Sequence, residues 1–184
     1  MGVRLCCGAC PRDRRDHRLR GPLALGDAAP TLTRAFTAPV YIVTAAAGGR
    51  RAGCLVGFAT QASMHPERFM VCISRANATY PVAMDAERLA VHAVTEGERG
   101  LAELFGGRTG DEVDKFSRCS WEPADDGTPI LSGPPTWFLG RVLERIDLGD
   151  HVGCVLEPER WHGGRPIAQL TERDLAEIQP GHPA

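Results

Sequence analysis

Two short stretches of the chain gather groups that can hold an anion. The first runs from Gly53, Cys54, Leu55, Val56 and Gly57 to Thr60, Gln61, Ala62 and Ser63, small and apolar at its start and rich in hydroxyl and amide groups at its end. The second follows the apolar run Phe69 to Ile73 and reads Ser74, Arg75, Ala76, Asn77, Ala78, Thr79. Hydroxyls, carboxamides and free backbone N–H groups all present donors, so two such ends that are neighbours in a sheet converge on one anion, and a phosphate is the natural candidate. The donors are neutral, with Arg75 the nearest cation. A third group, His151, follows Asp150 in the turn Leu148-Gly149-Asp150-His151. By residue type this is a turn histidine capped by Asp150.

Groups of this kind need paired strands beneath them. Pro39 to Thr44 is rich in β-branched and aromatic residues and predicts a strand, Ala47 to Arg50 its hairpin turn, and Ala52 to Ala59 the returning strand. Gly57 in that strand fits either a bulge or the close approach of a flat ring to the backbone. Residues 63–68 predict a turn into the buried strand Phe69 to Ile73. Asn77 or Thr79 then caps a helix with Pro81 in its first turn, whose free N–H groups suit a phosphate. Arg88 to Val94 predicts another strand, with His92 among valines reading as a sheet histidine. Glu98 to Phe105 predicts an amphipathic helix stopped by Gly106 and Gly107, and residues 120–133 a run of turns. Trp137 to Ile146 and Val152 to Pro158, joined by a short turn, predict a long antiparallel hairpin covered on both faces. Thr171 to Glu177 carries a capping signal for a brief helix, and Asp27 to Phe36 predicts another. The fold class is therefore mainly β with short helices and antiparallel pairing. It forms one domain over residues 23–180 behind an arm, residues 1–22, whose lack of apolar periodicity predicts disorder.

In this order the motifs resemble the flavin reductase-like family, whose fold is an antiparallel FMN-binding split β-barrel. That family carries a Gly-x-x-x-Ser-Ser-Phe-x-Ser-x-Ser type segment, an Asp-Pro step, a strand, and an Asn/Arg-x-x-x-Thr-like loop. Gly53, Thr60, Ser63, Pro66, Phe69 to Ile73, Asn77 and Thr79 match it, as do Asp114-Lys115-Phe116, Gly133, Trp137 and Gly149-Asp150-His151 further on. Gly57, Phe58 and Gln61 stand where hydroxyl residues are common, and His65 replaces the Asp. The resemblance covers about residues 30 to 180. It implies FMN as the flavin, with FAD as the alternative, and NADH or NADPH as co-substrate. It implies an NAD(P)H:flavin oxidoreductase that passes hydride from nicotinamide to flavin and supplies reduced flavin to a partner monooxygenase. It also implies a homodimer whose second subunit completes the flavin groove. On this reading Gly53 to Gly57 contact the ring, Gln61, Ser63, Asn77 and Thr79 hold the phosphate, and His151 faces the ring edge. Two other readings keep the fold: a tightly held flavin serving another redox substrate, and a flavin-binding module without turnover.

Composition narrows the alternatives. A net charge of −2 and a charged fraction of 24% leave no field to recruit nucleic acid or an anionic membrane. No run is long and apolar enough to predict a spanning helix, the N-terminus has no apolar signal region, and the usage of the 7 cysteines fits a reducing compartment, so a cytoplasmic location is expected. Cys6, Cys7 and Cys10 include a Cys-x-x-Cys near His17, but no second pair completes four ligands and no metal is expected. Gly-x-Gly-x-x-Gly, Walker A and Gly-x-Ser-x-Gly signatures are absent.

Overall fold

A computed structural model describes residues 37–108 and 113–178. The predicted arm, its cysteines and the helix expected near residues 27–36 lie outside the described residues.

Among the described residues nine strands and two short helices follow one another: β1 (Tyr41–Ala47), β2 (Arg50–Val56), β3 (Ala59–Met64), β4 (Glu67–Ser74), α1 (Tyr80–Asp85), β5 (Arg88–Ala93), α2 (Arg99–Gly107), β6 (Trp121–Pro123), β7 (Pro129–Leu131), β8 (Thr136–Asp147) and β9 (His151–His162). Seven strands form one antiparallel sheet in the order β2-β1-β5-β8-β9-β4-β3, and β6 pairs with β7. This is the split-barrel arrangement, with the sheet curled but not closed. Only residues 57 and 58 separate β2 from β3, yet the two strands sit at opposite edges of the sheet; Phe58 O accepts from Cys72 N at 2.8 Å and ties the crossing to β4.

The period-2 patterning decides which face is buried. Val71 and Ile73 of β4, Cys154 and Leu156 of β9, Leu89 and Val91 of β5, and Val43 and Ala45 of β1 point inward and pack with Val82 and Ala83 of α1. A second cluster lies between α2 and the far side of β1, where Ile42, Val94, Ala102, Phe105 and Phe116 meet Leu170 and Leu175 from the C-terminal segment. That segment is tied back by bridges between Pro39 and Thr171 and between Thr95 and Gln169. The brief helix expected there is a single 3-10 turn, Glu172–Leu175, closed by the predicted capping box: Thr171 N and Oγ1 both donate to Asp174 Oδ2, at 2.8 and 2.7 Å.

Two departures from the sequence reading have local causes. The turn expected from Ser63 begins two residues later, because β3 absorbs a bulge between Gln61 and Ser63 and pairs on to Glu67. Residues 120–133 hold the β6–β7 hairpin, with Gly127 at φ +85° in its turn. The hairpin is tied to the sheet by polar residues. Thr44 Oγ1 donates to Pro129 O at 2.5 Å, and Leu131 N donates to His92 Nε2 at 3.0 Å. His92 is fully buried and its Nδ1 meets Ile42 O at 3.0 Å, so the ring is neutral with its proton on Nδ1. Burial holds its pKa down to about 4, against the opposing pull of the bond to Ile42 O.

Candidate functional site

Strand register brings Ser74 and His151 together. Ser74, the last residue of β4, lies directly opposite His151, the first of β9. Both therefore sit on the outer face of the sheet, the face opposite the buried Val71, Ile73 and Cys154. The β2–β3 crossing adds Gly57 and Phe58. The ring centroids of Phe58 and His151 lie 5.1 Å apart, and Phe58 is 53% exposed. Gly57, Phe58, Ser74, Asn77, His151 and Glu172 line one cavity of about 150 Å3, floored by Cys54, Leu55, Val56, Cys72 and Ile73.

The loop between β4 and α1 is held rigidly. Asn77 Oδ1 accepts from Thr79 N at 2.9 Å, which leaves the Asn77 carboxamide N–H groups to serve a ligand. Ser74 Oγ accepts from Ala76 N at 3.3 Å and keeps its own proton. Arg75 is spent on structure: Nε donates to Gly149 O at 2.9 Å, Nη1 to Tyr80 Oη at 2.8 Å, and Nη2 pairs with Asp147 at 2.9 Å. Its guanidinium staples the loop to the turn that carries His151. The carboxyl of Asp147 is held below its ordinary range, first by the Gly149 N–H and then by Arg75. Asp150, 2.9 Å from His151 Nδ1, is likewise held low by the imidazole. This contact fixes the ring and leaves His151 Nε2 to meet a ligand.

Other predicted residues go elsewhere. Gly53 and Thr79 border a separate cavity of about 550 Å3, lined also by Arg50, Arg51, Asp114 and Lys115. Thr79 is buried and its hydroxyl bonds the Cys54 thiol, whose pKa is pushed up by burial. Gln61 lines an aromatic cavity of about 490 Å3 with Tyr41, Phe69, Trp137, Phe138 and Trp161. Thr60 and Ala62 are exposed on β3 and Ser63 is half-buried beside the bulge. The strand alternation that puts Gln61 over Phe69 separates it from Thr60, which shares the outer face with Met70. Sequence reasoning missed Ser74 as a site residue and Glu172 altogether. Ser74 was visible as the polar end of an apolar strand. Glu172 carried no local signal, because the return of the C-terminal segment brings it over Gly57.

The neutral donors and the imidazole are chemically suited to a flavin. The cavity alone fits one end of it, being smaller than the roughly 300–1,000 Å3 usual for ligand sites. No group of three or more His, Cys, Asp or Glu able to hold a metal occurs among the described residues.

A family profile described as "Flavin reductase like domain" matches residues 33–170. A probable flavin reductase of Rhizobium meliloti (strain 1021) is 30% identical over 132 residues, which are 71% of this chain and 40% of that protein. The FMN reductase (NADH) RutF of Methylorubrum extorquens (strain DSM 6343 / CIP 106787 / DM4) is 31% identical over 136 residues, 73% of this chain and 66% of the relative. Among solved structures, an FMN-binding protein from Thermus thermophilus with bound p-hydroxybenzaldehyde superposes with a TM-score of 0.67 at 25% identity, over 81% of each chain.

Proposed function

Because the chain belongs to the flavin reductase-like domain family, we propose that it is an NAD(P)H-dependent flavin reductase that reduces FMN and supplies it to a partner monooxygenase. The observation that supports this most is the convergence of Gly57, Phe58, Ser74, Asn77 and His151 on one outer-face cavity. A bound flavin would supply the hydride-accepting ring. The chain's own part is to bind, orient and exclude water, which requires few catalytic side chains. Asn77 and Ser74 offer neutral donors to the phosphate end, and Gly57 and Phe58 border the ring. His151, aimed by Asp150, meets the nicotinamide at the open edge.

Purified protein is expected to oxidise NADH or NADPH only when FMN, FAD or riboflavin is added, with a rate that saturates in flavin. His151→Ala should lower kcat/KM for the nicotinamide about tenfold while changing FMN affinity less than threefold, the pattern of a lost contact to one substrate. No flavin-dependent oxidation with either nucleotide would end the reductase reading. Full activity without added flavin would favour a tightly held prosthetic group.

We also propose a homodimer. The face that carries Ser74 and His151 leaves Met70, Cys72 and Val155 only partly covered, with Ile146 36% and Leu148 50% exposed. A second copy would cover this apolar strip and complete a groove that one chain leaves too small for a flavin. Light scattering at micromolar concentration should give twice the 19.8 kDa chain mass. A monomer that still binds FMN would remove the claim.

A further inference from the structure

Glu172 lies two residues beyond the family match, which ends at residue 170. Its side chain crosses the cavity wall and sits against Gly57: a Cβ built on Gly57 would collide with Glu172 Oε1 and press on its Cδ and Cγ. The space that a side chain at residue 57 would take is filled by a carboxylate from the C-terminal segment. The 3-10 turn that carries it is fixed by the Thr171–Asp174 capping box and by Leu175 in the second core cluster. The backbone N–H of Glu172 donates to Ala38 O at 3.0 Å, but its carboxylate has no hydrogen bond or ion pair among the described residues, and it is the one formally charged side chain lining a cavity whose other polar groups are Ser74, Asn77 and His151. Arg75, the nearest guanidinium of the β4–α1 loop, is committed to Asp147, Gly149 and Tyr80.

We propose that Glu172 is a specificity-determining residue that places a negative charge in the flavin site and so weakens flavins carrying a phosphate relative to riboflavin. The inference rests on the reading of this cavity as the flavin site. A like charge several ångström from a phosphate, with only neutral donors to offset it, is expected to weaken binding about tenfold at low ionic strength. The consequence for turnover is a site from which FMN exchanges readily, as a protein that delivers reduced flavin to another requires.

Flavin fluorescence quenching by the full-length chain, with FMN and riboflavin as separate ligands, tests this without reference to turnover. Glu172→Gln should bind FMN about tenfold more tightly and change riboflavin binding less than twofold, and the FMN gain should shrink at about 0.5 M salt, where the Debye length falls to about 4 Å. Gly57→Ser should reproduce the effect by a different route, since a side chain there displaces the flexible end of Glu172. Equal gains for both flavins, no gain, or a loss of FMN affinity in Glu172→Gln would each overturn the proposal while leaving the flavin site standing. Failure of the unmutated protein to bind either flavin would overturn the site reading and this inference with it.

Discussion

Between pH 6.5 and pH 4 the protein is expected to lose about 3 kcal/mol of folding stability through one side chain, His92. The unfolded chain takes up a proton on this histidine below its ordinary pKa of 6.5, whereas the folded chain resists until about pH 4. In that window the unfolded state binds more protons, so stability is fully present above pH 6.5 and drains away as the pH falls towards 4. A separation of that size corresponds to about 3 kcal/mol at about 1.4 kcal/mol per unit. The physical cause is a fully buried ring that accepts from Leu131 N while donating to Ile42 O; a second ring proton would be pushed against the Leu131 N–H. Urea denaturation of the unmutated protein and of His92→Gln at several pH values isolates the contribution. Exposed carboxylates such as Asp147 and Asp150 lose stability in the same direction but are common to both proteins. Identical pH dependence in the two would refute it.

Lys115→Ala should cost about 3 kcal/mol, or about 6–12 °C in Tm for a domain of this size. Lys115 is 4% exposed, and Nζ donates to Gly53 O at 3.1 Å and Phe105 O at 3.0 Å. Phe105 lies in the last turns of α2, so the ammonium satisfies a carbonyl left open at the helix end and pins it to β2. Removing it leaves two buried acceptors unpaired and a void beside the Phe105 ring, whose centroid is 5.5 Å from Nζ. The ammonium has no carboxylate within ion-pair distance among the described residues, and burial lowers its pKa. Lys115→Met, which keeps the stem, separates the void from the lost hydrogen bonds and should recover less than half the cost. A loss below about 1 kcal/mol in Lys115→Ala, read by thermal or urea melts, would mean that water replaces the ammonium at both carbonyls.

Strands that alternate or run apolar between turn residues were legible from sequence. Phe69 to Ile73, Arg88 to Val94 and the hairpin through Gly149 all emerge within a few residues of the expected bounds. The β6–β7 hairpin was hidden because its strands are three residues each, β6 ending and β7 beginning in proline, so neither pattern nor propensity marks them. The site was half legible. Ser74 and His151 face each other because of a register between strands almost eighty positions apart, which residue types do not encode locally. Gln61, Ser63 and Thr79 were grouped by chemistry and adjacency, but the pairing of β3 with its bulge places Gln61 and Ser63, while Thr79 is buried at the start of α1 beside another cavity. Glu172 arrives by a return of the chain, which only the tertiary structure reveals.

The sheet order also dictates when the fold can exist. The β8–β9 hairpin sits in the middle, with β5, β1 and β2 on one flank and β4 and β3 on the other, all drawn from the first half of the described chain. Until residue 162 is available, β5 and β4 have no neighbour along these edges, and the two N-terminal flanks are joined by residues 57 and 58 and by α1. As the chain leaves the ribosome, the open edges of β4 and β5 wait for a late central element. Assembly is thus a late, long-range closure, and any pause before the last hairpin lengthens the period in which those edges can pair with another chain.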